Sequence, residues 1–88
     1  MTSQLITQAL TEALQPTLLE LIDNSAAHAG HAGARSGGGH YQLTIVAEAF
    51  TGQSLVKRHQ LVYQALGDLM KQHIHALSIH ALSPFEHN

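Results

Sequence analysis

The sequence predicts a small α+β domain in the order helix, strand, long loop, strand, helix with a break, strand, its helices on one face of a three-stranded sheet. Three observations predict it. Apolar residues recur at helical spacing in two stretches, 3–15 and 54–72. Three short stretches, 18–23, 40–50 and 74–83, are aliphatic or alternate apolar with polar. A run of small residues, Ser25 to Gly39, separates the first two strands.

The elements follow in order. Leu5, Ile6, Ala9, Leu10, Ala13 and Leu14 form one stripe, Thr2 or Ser3 caps the helix, and Pro16 ends it. Leu18 to Asp23 places Leu19 and Leu21 on either side of Glu20, which fits a strand with one buried face. Ser25 to Gly39 contains no branched aliphatic residue and is expected to be a flexible Gly/Ala/His loop. Loops of that length inside a small domain tend to be functional. From His40 to Phe50, Tyr41, Leu43 and Ile45 alternate with Gln42 and Thr44, and Thr51-Gly52 marks a turn. Ser54 caps a helix running to about Gln72, with Leu55, His59, Val62, Leu66 and Leu69 on its stripe and Gly67 as the break. Ile-His-Ala-Leu-Ser then occurs twice, at 74–78 and 79–83. In a regular strand that odd period puts His75 and His80 on opposite faces. Pro84 ends the strand, leaving a short tail.

Composition narrows the function. A chain of 88 residues holds one domain, spanning 1–88. It has no cysteine, which removes disulfides, thiolate zinc fingers and a cysteine nucleophile from this chain. Four Lys+Arg against six Asp+Glu argue against tight nucleic-acid binding. No apolar run is long enough to span a membrane and no cationic start suggests a targeting peptide, so a cytoplasmic location is expected. No nucleophile elbow, P-loop, dinucleotide fingerprint or paired carboxylate is present, and the chain is expected not to be an enzyme.

The excess is in histidine, with eight in the chain. Imidazole is a common metal ligand. His28 and His31 lie in the small-residue loop at H-x-x-H spacing, a weak signal because a closed zinc site needs four ligands. His40 opens a strand and reads as a strand-end hydrogen-bonding residue, and His59 reads as a core-edge residue of the long helix. Chemistry alone does not choose between His75 and His80.

Several segments in register carry a resemblance: His28 to His31, Gly38-Gly39-His40-Tyr41, Phe50-Thr51-Gly52, Arg58-His59-Gln60-Leu61-Val62-Tyr63, and Ile74-His75-Ala76-Leu77 with Pro84 beyond. Together, from about residue 5 to Glu86, they resemble the BolA family. The resemblance implies an α-β-β-α-α-β domain similar to the class II KH-like arrangement. It also implies a monothiol glutaredoxin partner and a [2Fe-2S] cluster shared with that partner and glutathione, with none expected on the isolated chain, which would be a monomer or weak homodimer. By resemblance, His75 is one ligand and a loop histidine, His31 or else His28, is the other. The chain would then be a ligand-supplying adaptor in iron–sulfur trafficking or iron and redox regulation. The alternative is a KH-like nucleic-acid-binding transcriptional regulator, approached through Lys57, Arg58 and His59, although no G-x-x-G clamp is evident. Further rivals are a partner-free zinc or copper site and a plain interaction domain.

Overall fold

The first helix, α1 (Thr2–Leu14), forms where the apolar stripe requires it and buries Ile6 and Leu10 completely. It stops at Pro16, whose ring disfavours the right-handed helical conformation for the residue before it. Gln15 takes φ 48° instead, and its N–H still donates to the Thr11 carbonyl at 3.1 Å. The computed structural model describes residues 2–24 and 39–87. Most of the predicted loop, with His28, His31 and Arg35, lies outside the described residues.

Strand β1 (Leu18–Asp23) pairs antiparallel with β2 (Gly39–Val46), from Leu18 opposite Val46 to Asp23 opposite Tyr41. Strand β3 (Ile74–Leu82) pairs parallel to β2, and the sheet order is β1-β2-β3. A parallel neighbour needs a crossover. Helices α2 (Leu55–Leu66) and α3 (Leu69–Gln72) make it. Tyr41, Leu43 and Ile45 of β2 are buried with Ile6 and Leu10 of α1, Val62 and Leu66 of α2, and Ala81 of β3. Glu20, Gln42, Ser78 and His80 are exposed and alternate with these core positions. The fold is therefore the expected one, with helices on one face of a three-stranded sheet.

Three local features differ from the sequence expectation, while the break at Gly67 falls at the expected position. The strand expected over 40–50 ends at Val46, and a 3₁₀ turn follows at Glu48–Phe50. The Phe50 N–H donates to Ala47 O at 3.1 Å, turning the chain off the sheet and sending the Phe50 ring into the core at 0% exposure. Helix α2 stops at Leu66 because Gly67 adopts φ 53°, ψ −127°, a backbone that side chains disfavour. Its first turn is not part of the buried stripe: Leu55 and Val56 are 68% exposed, while Arg58 is buried. Finally, the tail is the helical turn α4 (Pro84–His87). The Ser83 N–H donates to Glu86 Oε1 at 2.8 Å and the Glu86 N–H to Ser83 Oγ at 3.3 Å, a reciprocal capping box. Among the described residues, no helix is long and apolar enough to cross a membrane.

Candidate metal-ligand site

The ladder between β2 and β3 is irregular at one point. Gly39 pairs with Ile74, but His40 pairs with Ala76, so His75 is an extra, bulged residue. Ile74 and Ala81 are both buried although they lie seven positions apart, an odd offset that regular alternation forbids. The bulge therefore resets the faces. His75, expected opposite His80, comes round to the same open side of the sheet, and both are exposed.

There the His75 ring meets His40. The ring centroids are 5.0 Å apart and the planes tilted by 42°. The His40 ring is half-buried and its Nε2 shielded from solvent, whereas His75 is exposed. The His40 backbone carbonyl accepts the Asn24 N–H at 2.7 Å. The Gly39 N–H donates to His73 O at 3.0 Å. Asn24 and Gly39, the described residues that flank 25–38, thus both lie beside the His40–His75 pair. Gly39 has a steric reason to be glycine: a Cβ there would lie 2.7 Å from Cζ and Oη of the buried Tyr41 ring.

Two imidazoles binding one metal ion at about 2.0–2.1 Å have ring centres roughly 5 Å apart. The observed separation fits that arrangement. The pair is not a complete site. Among the described residues no group of three or more His, Cys, Asp or Glu side chains converges, and the chain has no cysteine. Any metal here needs ligands from the loop or from outside the chain. Sequence reasoning did not bring His40 and His75 together, because their proximity depends on the parallel pairing and the bulge.

The surface grouped as Lys57, Arg58 and His59 does not form as a unit. Lys57 is exposed and His59 half-buried, but Arg58 turns inward. Its Nε donates to Gln53 O at 2.9 Å and its Nη1 to Ala81 O at 3.0 Å. Nη1 and Nη2 grip Glu86 at 2.6 and 3.3 Å. The guanidinium and the Ser83 N–H hold the Glu86 carboxyl down at about 2 from 4.5. Arg58 is a structural residue, and its donors are engaged within the fold.

Fold and site together define a small α+β domain that presents histidines at a bulged strand end. The family profile described as BolA-like protein matches residues 10–86. The chain belongs to the BolA family. It is 48% identical over 86 residues to SufE-like protein 1, chloroplastic/mitochondrial, of Arabidopsis thaliana, covering 92% of this chain and 23% of that protein's length. It is 38% identical over 86 residues to the DNA-binding transcriptional regulator BolA of Vibrio cholerae, covering 98% of this chain and 78% of the relative. Among solved structures, BolA1 from Arabidopsis thaliana superposes with a TM-score of 0.82 at 34% identity, over 98% of this chain and 95% of that one.

Proposed function

We propose that this BolA-like chain is a non-enzymatic adaptor that supplies histidine ligands to a [2Fe-2S] cluster shared with a monothiol glutaredoxin and glutathione. The observation that carries the reading is the His40–His75 pair, beside the residues Asn24 and Gly39 that flank 25–38. The donor set is consistent with it. A chain without cysteine provides imidazoles for one iron and leaves thiolate ligation of the other to its partner. His75 is one ligand. The second imidazole comes from the loop, His31 or His28, or from His40. When bound, the cluster supplies redox chemistry at a potential raised by histidine ligation. The chain's own residues supply neutral imidazole, so binding weakens on acidification.

The test is anaerobic cluster reconstitution with a monothiol glutaredoxin and glutathione, followed by visible circular dichroism. The expected result is a spectrum distinct from the glutaredoxin-only cluster. It is lost in His75→Ala and in one of His31→Ala, His28→Ala or His40→Ala, which names the second ligand. An unchanged glutaredoxin spectrum with wild-type chain overturns the reading.

A second reading rests on the Vibrio cholerae relative, which is named a DNA-binding transcriptional regulator. With Arg58 engaged internally, the exposed cations among the described residues are Lys57 and Lys71. Weak, salt-sensitive duplex binding is expected. Tight, sequence-dependent binding in fluorescence anisotropy at physiological salt would reverse the order of the two readings.

A further inference from the structure

We propose that β3 is a self-pairing edge: two copies of this chain join by antiparallel pairing of residues 76–80 about a two-fold axis at Ser78. The pairing goes beyond the cluster reading and requires no metal.

Among the described residues, strand β3 pairs with a strand on one side only, with β2. The direction of its other backbone groups follows from two hydrogen bonds. The Leu82 carbonyl accepts the Ala47 N–H at 3.0 Å and so points toward β2. Backbone groups of alternate residues in a strand point to opposite sides, so those of Leu77, Ile79 and Ala81 point outward. Arg58 Nη1, reaching the Ala81 carbonyl from α2, agrees with that assignment. Leu77 and Ile79 therefore offer two N–H and two C=O groups to a partner.

Edge strands are usually protected by charge or proline. The other edge, β1, carries Glu20 and Asp23. From Ile74 to Ser83 there is no Lys, Arg, Asp, Glu or Pro, and the duplicated Ile-His-Ala-Leu-Ser keeps both halves of the strand aliphatic or small. The occupant is a second copy because the strand complements itself. With Ser78 on the axis, Leu77 pairs with Ile79 on the helix-covered face and Ala76 with His80 on the open face. Ser78 meets its own copy. Leu77 and Ile79 of both chains then exchange four hydrogen bonds, and no acidic or strongly basic side chains oppose each other. Helix α2 packs against β3, and its first turn leaves Leu55 and Val56 68% exposed. The ladder is bounded by the bulge at His75 and by Arg58 on Ala81 O, and the charged β1 edge does not extend it. The product is a closed two-fold dimer and not a filament.

The test uses the absence of cysteine from the chain. In this register Ser78 faces itself in a non-hydrogen-bonded pair, with Cα atoms about 4.5 Å apart. That lies within the disulfide range of roughly 4.4–6.8 Å. In Ser78→Cys treated with diamide, two thiols lose two electrons and two protons to the oxidant and form one disulfide. Fast, near-complete dimer cross-linking of the metal-free chain is expected, with little in the exposed α2 control Gln60→Cys. By sedimentation, wild type dimerises with rising concentration. Ser78→Lys and Ser78→Asp are each monomeric alone, and their mixture recovers the dimer. A wild type that stays at monomer mass, together with Ser78→Cys cross-linking no faster than Gln60→Cys, overturns the proposal.

Discussion

The two ends of β3 treat their polar side chains in opposite ways. At the end near Leu82, the donors of buried Arg58 reach Gln53 O, Ala81 O and both Glu86 oxygens, and Glu86 also caps α4 through the Ser83 N–H. At the end near Ile74, a bulge brings exposed His75 against half-buried His40, beside the junctions of segment 25–38. The first end holds the crossover helix to the sheet. The second leaves the His75 imidazole exposed. A hydrogen-bonded ion pair and an exposed imidazole thus occupy opposite ends of one strand.

The largest effect should come from the structural end. Arg58→Ala leaves two backbone carbonyls and a carboxylate without their donor and is expected to cost about 3 kcal/mol. Urea denaturation measures it. Arg58→Lys should recover only part, because an ammonium lacks the planar fork that serves several acceptors. A loss below about 1 kcal/mol for Arg58→Ala would erase the contrast between the two ends.

Acid sharpens the same comparison with a smaller effect. The Glu86 carboxyl is held at about 2 in the folded chain against 4.5 ordinarily, through Arg58 first and the Ser83 N–H second. A depressed carboxylate contributes stability fully above its unfolded value and loses that contribution as pH falls through the folded one. The clasp therefore weakens as pH falls from 4.5 toward about 2. Glu86→Gln should flatten the stability profile in that window, and a profile unchanged by the substitution would contradict the assignment.

The smallest stability effect is expected at the histidine end. His75 is exposed, so His75→Ala should change unfolding free energy by no more than about 0.5 kcal/mol while abolishing the shared-cluster spectrum. A large loss of stability would make His75 a structural residue like Arg58.

Much of the fold was readable before any coordinates. Helical spacing located α1 and α2, alternation located β2, and Pro16, Gly67 and Pro84 marked the breaks. The capping box of α4 was also written in Ser83-Pro84-Phe85-Glu86, a serine followed three residues later by a glutamate with proline at the first helical position. The site was less readable. Loop histidines His28 and His31 lie outside the described residues, and His40 gave no local sign of its neighbour.

The sequence by itself determined the element order, the open and covered faces of β1 and β2, the absence of thiols and the excess of histidine. These follow from composition and from periods of two and 3.6 residues, which act along the chain. Tertiary structure alone decided that Arg58 turns inward, that Leu55 is left out of the core, and that His75 meets His40. Those outcomes depend on parallel pairing between strands far apart in the chain and on one bulged residue that reverses the facing of its neighbours.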